Sequence, residues 1–395
     1  MHESARLLRD LVAMPSVNPM GRPLQGPDFF EYRVTDYLEG FFKSLGVPFE
    51  RQAVAARREN IVARFDPPGT ARRALILEVH QDTVPTDGMT IDPFGARIEN
   101  GRLYGRGACD VKGGMASMLT AFARLVRERP KTETRVHLAC TVDEEHGFGG
   151  VTLLTRSPFV ARPDLPLSAV CAEPTLLNIV TTHKGAARWT LQTKGRSCHS
   201  SRPSEGVNAV YRMAELLPLV ERYALELQAE RVHPVLGPAT LSVGLIEGGV
   251  SVNTVPDRCA LAIDRRLLPG ETAEAVLAHF REYLQAKAPA NVVWECPPAW
   301  LYSPALDVTP ASEELAARLG KAIDAVVGSH QVLAAAYGTD AAPLAQAGVP
   351  AVVFGPGDIG KAHTADEWVP LDQVEQAAEI LYRLATTDAP RYENC

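Results

Sequence analysis

Four short signatures in this chain combine acidic and histidine residues of the types that bind metal ions and activate water. They are Leu77–Pro85, Tyr104–Gly114, Asp143–Gly147 and Ala172–Thr175, and His363 stands in a fifth, late signature. Zinc in proteins takes imidazole nitrogen and carboxylate oxygen as ligands, and a catalytic site keeps one position for water. Two histidines and three carboxylates are sufficient for two ions that share one carboxylate. The set therefore predicts a two-metal hydrolytic site.

The number and type of these side chains predict how the ligands are divided. Each ion receives three protein ligands, one ion from His80, Asp110 and Glu173 and the other from Asp110, Glu145 and His363. Asp110 then bridges the pair, and Glu144 is left over to act as a base. Two ions about 3.5–4 Å apart both activate a water molecule and polarise a carbonyl. The expected cofactor is zinc, two ions per subunit, with cobalt as a substitute.

Asp82 follows His80 by two residues, so an extended backbone places both side chains on one face. In such an arrangement a carboxylate accepts the second imidazole N–H and fixes the tautomer of a metal-binding histidine. We therefore expect the Asp82 carboxylate to orient His80.

Glu144 and Glu145 are adjacent and would point to opposite sides of a regular strand. Both reach one metal cluster only if the chain bends there. Gly147 and Gly149 are predicted to permit that bend, since glycine tolerates unusual backbone angles.

The signatures follow apolar runs that alternate with helical segments over the first 180 residues. His80 closes the run Leu75–Val79, the two glutamates follow Val136–Val142, and Glu173 follows Ser168–Ala172. In an open α/β sheet, sites form outside the carboxyl ends of the strands. The fold class predicted is α/β, with a mostly parallel central sheet flanked by helices.

The pattern changes near residue 183. Strand, helix, strand, strand, helix and strand follow in that order, and the first of these strands alternates with period two. This is the order of a ferredoxin-like α+β domain. We predict an inserted domain over 183–295, within a catalytic domain of 1–182 and 296–395, and a linker at Pro297–Pro304.

Composition argues against several other classes of protein. The 395 residues carry a formal net charge of -7 and no basic run, so nucleic acid and anionic membranes are poor partners. No apolar stretch approaches the ~20 residues of a membrane span, and the N-terminus predicts an amphipathic helix rather than a signal peptide. The seven cysteines, Cys395 included, form no Cys-x-x-Cys pair and are expected to be reduced thiols in the cytoplasm.

Taken together, these motifs resemble those of a zinc aminoacylase and exopeptidase family. That family includes acetylornithine deacetylase, succinyl-diaminopimelate desuccinylase, aminoacylase-1 and carboxypeptidase G. The resemblance covers nearly the full length, with motifs in the family's order: His80-Gln-Asp82, Gly107–Gly114, Asp143-Glu144-Glu145, Ala172–Thr175, Gly338-Thr-Asp340, and Gly355–Gly357 followed by Ala362-His363. It implies that Glu144 is the general base, that Glu145 is a ligand, and that the inserted domain forms a homodimer and acts as a lid.

Further matches in and after the inserted domain imply substrate contacts. The resemblance assigns His199 to the active site of the partner subunit, and Asn253 and Arg266 to the substrate carboxylate, with Arg265 as a competing candidate. An arginine fork suits a carboxylate because it binds both oxygens. The Gly338-Thr-Asp340 motif adds Gly338 and Thr339 as substrate-binding residues.

The activity expected is removal of a short acyl group from an N-acyl amino acid, as in acetylornithine deacetylase. The small-molecule substrate is then an N-acyl amino acid or a dipeptide. Alternatives on the same chemistry are a dipeptidase, a carboxypeptidase, or a deacylase similar to succinyl-diaminopimelate desuccinylase. A metal-free binding protein on the same fold is the remaining alternative, and the intact ligand set argues against it.

Overall fold

The computed structural model describes residues 2–24 and 26–387, and Cys395 lies outside them. The chain divides into two compact units. Unit 1 comprises Met1–Thr181, Val308–Leu333 and Thr339–Cys395, and unit 2 comprises Thr182–Asp307 and Ala334–Gly338. Within the described ranges, no helix is both long and apolar enough to cross a membrane. All six described cysteines are free thiols.

Ten helices occur in the described residues. They are α1 (Glu3–Val12), α2 (Tyr32–Leu45), α3 (Gly113–Glu128), α4 (Gly149–Leu154), α5 (Pro158–Ala161), α6 (Ala209–Glu230), α7 (Ala273–Lys287), α8 (Pro310–Val327), α9 (Ala341–Gln346) and α10 (Leu371–Thr386). The strands of the same ranges are β1 (Phe49–Ala55), β2 (Arg58–Phe65), β3 (Arg73–His80), β4 (Arg97–Glu99), β5 (Arg102–Tyr104), β6 (Thr134–Thr141), β7 (Leu167–Cys171), β8 (Ile179–His183), β9 (Gly185–Lys194), β10 (Val232–His233), β11 (Gly237–Pro238), β12 (Thr240–Gly248), β13 (Arg258–Leu267), β14 (Trp294–Glu295), β15 (Leu301–Ser303), β16 (Val332–Ala335), β17 (Ala351–Phe354) and β18 (Trp368–Pro370).

The large sheet has eight strands in the order β1-β2-β6-β3-β7-β17-β8-β16. Its centre is parallel, since β6, β3, β7 and β17 pair in the same direction. β1 pairs antiparallel with β2, β2 with β6, and β8 with β17, so the sheet is mixed. The central strands are buried on both faces, which explains their nearly continuous apolar sequences.

The register of the central strands brings their carboxyl ends to one edge. His80, the last residue of β3, pairs with Thr141, the last residue of β6. Cys171, the last residue of β7, pairs with Glu78 on one side and Val353 on the other. The loops that follow β3, β6, β7 and β17 therefore start beside one another.

Unit 2 contains an antiparallel sheet in the order β12-β13-β9-β14, the strand order of a ferredoxin-like sandwich. Helices α6 and α7 cover one face, where buried Trp189 packs against Phe280 with ring centroids 5.4 Å apart. The linker predicted at Pro297–Pro304 is wrong, because it contains β15, which pairs with β9. For the same reason unit 2 continues past the predicted boundary at residue 295 to Asp307.

His137 is a buried histidine that should make the stability of unit 1 depend on pH. The ring lies in β6, is 6% exposed, and stacks on Phe159 with centroids 4.3 Å apart. Burial, aided by the positive charges of Arg135 and Arg64, lowers the pKa of His137 to about 4. An unfolded histidine titrates near pH ~6.5, so protons favour the unfolded chain in the interval between these values.

We expect the contribution of His137 to be complete above pH ~6.5 and to be lost as pH falls towards about 4. The loss should amount to about 3–3.5 kcal/mol, since the two pKa values differ by about 2.5 and one pKa unit corresponds to about 1.4 kcal/mol. Urea unfolding of the wild type and of His137→Phe, which keeps an aromatic ring but does not titrate, measures it. A difference in unfolding free energy that stays constant across this pH window would contradict the assignment.

Candidate metal centre

Asp110 stands at the middle of the cluster that the strand ends create in unit 1. It lies in the irregular turn Ala108–Lys112, directly before α3. Its Oδ1 atom is 3.2 Å from Nε2 of His80, and its Oδ2 atom is 3.2 Å from Nε2 of His363. One carboxylate thus faces both histidines, one oxygen to each, as a bridging ligand would.

The other acidic side chains complete two groups around Asp110. In each group the nitrogen and oxygen atoms lie within 4.8 Å of one another, and among the described residues these are the sets that could hold a metal: His80, Glu144 and Glu173, and Asp110, Glu145 and His363. Glu173 Oε1 is 3.9 Å from His80 Nε2, and Glu145 Oε2 is 3.4 Å from His363 Nε2. All these side chains are buried except that of His363, which is 52% exposed.

The donor set fits metal ions. The Nε2 atom of His80 is buried. It makes no well-aligned hydrogen bond to any group among residues 2–24 and 26–387. A buried ring nitrogen left without a partner is costly, and coordination of an ion would satisfy it. Imidazole nitrogen together with carboxylate oxygen is also the ligand chemistry that zinc accepts.

The protonation equilibria show a shortage of positive charge in this cluster. Burial raises the pKa values of Glu144 and Glu173 well above their ordinary range, and neighbouring carboxylates add to the effect. Hydrogen bonds to Asp110 and Glu145 raise the pKa of His363 to about 11. Burial alone would raise the pKa of Asp110, but its contacts with His363 and His80 hold it far below the usual value. Cations at the centre would relieve this repulsion.

The predicted contact between the Asp82 carboxylate and His80 is wrong. Nδ1 of His80 lies 3.0 Å from the main-chain oxygen of Asp82, whereas the nearest carboxylate oxygen is 3.7 Å away. The carboxylate instead accepts the backbone N–H groups of Glu144 at 3.1 Å and Glu145 at 3.2 Å. Asp82 therefore orients the imidazole through its carbonyl and holds the two glutamates through its side chain.

The bend at Glu144 and Glu145 also differs from the prediction. The positive φ angles fall on Asp143 (68°) and Phe148 (54°), not on the glycines. A Cβ atom on Gly147 would lie 2.3 Å from Oδ2 of Asp143, and one on Gly149 would lie 3.0 Å from it. The glycines are required for space, because the Asp143 side chain folds back over them.

A buried polar network behind this bend could not be found from sequence motifs. Asn18 donates to Asp82 at 2.8 Å and to Asp143 at 3.1 Å. Arg58 binds both oxygens of the fully buried Glu31 and reaches Asp143 at 2.7 Å. These groups hold the Asp143 turn, and with it Glu144 and Glu145, from segments far away in the sequence.

The Gly338-Thr-Asp340 motif is divided between the two units, with Gly338 in unit 2 and Thr339 in unit 1. Thr339 is fully buried, and its hydroxyl oxygen accepts the N–H of Ala341 at 3.1 Å in the first turn of α9. Asp340 lies near Thr141, whose hydroxyl is within hydrogen-bonding distance of both Asp340 (3.0 Å) and Glu78 (2.7 Å). Burial raises the pKa of Asp340 well above its ordinary value.

The predicted catalytic residue His199 and the remaining predicted substrate-binding residues belong to unit 2. His199 is exposed and contacts the Ser201 hydroxyl at 2.7 Å, and Asn253 is exposed beside Ser251. Arg266 is 32% exposed, and its Nε donates to Asp264 at 2.9 Å. These three side chains are accessible within their unit.

Arg265, the competing candidate, is in a different position from Arg266. Its side chain is 1% exposed, and Nη2 binds both carboxylate oxygens of Glu271 at 2.8 and 3.1 Å. A buried guanidinium held by a carboxylate in this way forms a structural ion pair. The geometry thus favours Arg266 over Arg265 for ligand binding.

Comparison with known proteins agrees with the fold. The model of the protein family described as "Peptidase family M20/M25/M40" matches residues 76–387. The chain is 31% identical over 357 residues to acetylornithine deacetylase of Myxococcus xanthus, which covers 88% of this chain and 90% of that protein. Among solved structures it is similar to an M20 family metallo-carboxypeptidase of Sulfolobus solfataricus, with a TM-score of 0.78 and 20% identity over 98% of this chain and 99% of that one. A dinuclear metal binding peptidase of the M20 family from Bacillus subtilis gives a TM-score of 0.67 and 17% identity over 97% and 96% of the two chains.

The protein is a hydrolase that acts on amide bonds, built on a mixed α/β fold with helices on the large sheet. It belongs to peptidase family M20/M25/M40. The two structural neighbours are under 25% identical and support the fold alone.

Proposed function

We propose that this protein is a di-zinc amide hydrolase that removes a short acyl group from the α-nitrogen of an N-acyl amino acid. The observation that supports it most is the Asp110 carboxylate, which presents one oxygen at 3.2 Å to each of the two histidines. The similarity to acetylornithine deacetylase over 88% of the chain supports a deacylase. The free thiols of the six described cysteines support a reducing compartment, the cytoplasm.

The ligands proposed for the first ion are His80, Asp110 and Glu173, and those for the second are Asp110, Glu145 and His363. When bound, the ions would supply an acidified water molecule and polarise the amide carbonyl. Glu144 lies in the same group as His80 and Glu173, and the base role proposed for it follows from the Asp143-Glu144-Glu145 motif. It is 8% exposed beside His80 and Glu173, and burial raises its pKa well above that of an ordinary carboxyl.

A carboxylate with a raised pKa is suited to accept a proton near neutral pH and to release it again. In the proposed reaction Glu144 takes the proton from the attacking water and delivers it to the leaving amine. Asp82 keeps Glu144 in place, because its side chain accepts the Glu144 and Glu145 N–H groups. A donor such as His199 of the partner subunit would stabilise the oxyanion.

A panel of substrates tests the proposal. The zinc-loaded protein should hydrolyse N-acetyl amino acids faster than N-succinyl amino acids and dipeptides. Chelation should abolish the activity, and zinc or cobalt should restore it. A clear preference for dipeptides or for C-terminal residues would identify a peptidase of the same fold. Absence of both bound metal and hydrolysis would support a binding protein instead.

The protein is further proposed to be a homodimer formed through unit 2. Strand β12 stands at the edge of its sheet, and it exposes Leu245 and Ile246 by 63% and 57%. An exposed apolar edge strand is a template for pairing with a second chain. Two copies paired along β12 would cover both side chains.

A shared active site would follow from this dimer and makes its own prediction. Mixing His199→Ala with Glu144→Gln, each nearly inactive alone, should restore about a quarter of the wild-type activity, because half of the random dimers carry one intact site. Activity is measured after subunit exchange, which is confirmed with a labelled chain. Each variant exchanged with itself serves as the control. No recovery in a population with confirmed heterodimers would contradict a shared site.

The neighbouring arginines of β13 provide a second prediction. Arg266→Ala should raise KM, and lower kcat/KM by about 10–100-fold, since it removes a charge-assisted contact with the substrate carboxylate. Stability should change little, because the side chain is partly exposed. Arg265→Ala should mainly lower the melting temperature, because it leaves Glu271 half-buried without its partner. If Arg265→Ala mainly lowered kcat/KM and Arg266→Ala mainly lowered the melting temperature, the two roles would be exchanged.

A further inference from the structure

Glu367 is a buried carboxylate whose contacts no motif explains. It is fully buried, and its Oε1 atom accepts the backbone N–H groups of Cys109 at 2.9 Å and Asp110 at 3.1 Å. Its Oε2 atom receives Nη1 of Arg106, which is itself 2% exposed. Three donors therefore converge on this side chain, two of them from the backbone at the bridging ligand.

The same residue belongs to the segment that supplies His363. Glu367 follows His363 by four residues and precedes β18, which pairs with β5. The main chain adds one bond between these segments, from the Gly105 N–H to the main-chain oxygen of Glu367 at 3.0 Å. The Thr90 N–H ties the His363 loop to a further loop, through the main-chain oxygen of Ala365 at 2.9 Å. Glu367 thus joins the Asp110 turn to the His363 loop at a fixed distance.

The consequence concerns the second metal position. Asp110 approaches His363 with Oδ2, so a shift of its backbone relative to the His363 loop would change this distance directly. His363 is 52% exposed and receives little support from packing. The position of Asp110 relative to His363 therefore depends on whatever fixes the Asp110 backbone to that loop.

We infer that Glu367 is a positioning residue that fixes the backbone of Asp110 relative to His363 and so creates the second metal position. This inference rests on the proposed two-metal function. Glu367 does not touch an ion or a substrate in this arrangement. It acts through the N–H groups of Cys109 and Asp110.

Zinc titration of Glu367→Gln, followed by calorimetry, tests the inference without measuring hydrolysis. The amide retains one oxygen acceptor but turns an N–H₂ donor towards Arg106, which displaces the side chain. We expect the first zinc equivalent to bind nearly as in the wild type and the second to bind about 10–100-fold more weakly. This is the usual cost of losing a hydrogen bond that holds a metal ligand in place. The visible spectrum of the cobalt-loaded variant should saturate at a higher metal concentration.

Glu271→Gln is the matched control. Glu271 is also a carboxylate that binds an arginine, Arg265, and accepts one backbone N–H, from Leu268 at 2.8 Å, but it lies in unit 2. This variant should lose stability and retain both zinc affinities. If Glu367→Gln does not fold, Glu367→Asp replaces it, since the shorter carboxylate keeps the charge but cannot span Arg106 and both amides.

Native affinity for both zinc equivalents in the folded Glu367 variant would overturn the inference and leave Glu367 a purely structural ion pair. Equal losses in the Glu367 and Glu271 variants would also overturn it, because they would reflect general destabilisation. A wild-type protein that binds fewer than two zinc ions would overturn the proposed function together with the inference. Two tight sites in the wild type and one in the Glu367 variant would support both.

Discussion

Replacing Glu144 by glutamine is expected to remove nearly all activity while the fold and both metal ions are retained. Glu144 is buried beside His80 and Glu173, and burial raises the pKa of its carboxyl, as a proton carrier requires. A general base contributes about 10²–10⁴-fold to the rate, and a residue that also returns the proton should fall at the upper end. The kcat of the zinc-loaded variant and its metal content are the two measurements.

Glu145→Gln is the control for this experiment, since it makes the same change from carboxylate to amide at the adjacent residue. Glu145 lies 3.4 Å from His363 and accepts the Val84 N–H at 3.1 Å. This variant should lose one zinc ion, and its activity should fall because the second position is empty. Loss of metal from Glu144→Gln together with retention by Glu145→Gln would show that the two roles are exchanged.

Replacing Asp110 by alanine should have the largest effect on metal content. Because Asp110 faces both histidines, its removal takes a ligand from each position. We expect both zinc affinities to fall and kcat/KM to drop by about three orders of magnitude or more, since the metals supply several kcal/mol and each 1.36 kcal/mol is a factor of ten. Excess zinc should raise the melting temperature of the wild type but not of the variant, since only a bound ligand stabilises the folded state.

Asp164→Ala provides the comparison for Asp110→Ala. Asp164 is 67% exposed and pairs with Arg135 on the surface of the same unit. Such an ion pair contributes about 0–1 kcal/mol, so zinc content and activity should be unchanged. An Asp110→Ala protein with full zinc content and activity would contradict the bridging role.

The sequence was sufficient to predict the α/β layer, the insertion and the residues that converge at the sheet edge. His80 ends a buried parallel strand and Glu144 and Glu173 follow two others, and the edge at which such strands end is determined by their direction. Asp110 and His363 follow no such rule. Their residue types and their place in the family motifs predict them as ligands, and the structure brings both to the cluster.

The contacts that hold the site could not be predicted in the same way. Glu367 acts on backbone groups of Cys109 and Asp110, and a backbone N–H leaves no mark in the sequence. Asn18 acts on Asp82 and Asp143 across 64 and 125 residues. Hydrogen bonds of this range depend on the tertiary fold, so neither periodicity nor spacing reports them.

Two details of local geometry also differ from the predictions made from the sequence. The period-two argument placed Asp82 on the correct side of the strand but could not distinguish its carbonyl from its carboxylate as the partner of His80. The positive φ was assigned to glycine, whereas Asp143 adopts it. The buried Arg58 and Asn18 bind the Asp143 side chain, and these bonds support a backbone angle that aspartate adopts at some cost.

The insertion of unit 2 between β8 and α8 has a consequence for biosynthesis. The residues proposed as ligands of the first ion all precede the insertion, whereas His363, Glu367 and the interior strand β17 follow it. A ribosome adds about 5–20 residues per second, so the inserted stretch alone delays the C-terminal segment by on the order of ten seconds. During that interval the nascent chain has a gap beside β7 and lacks His363, one of the three ligands proposed for the second metal position. A metal ion captured early would meet an incomplete centre, and the proposed pair of metal positions would be complete only after the residues that follow Asp307 have left the ribosome.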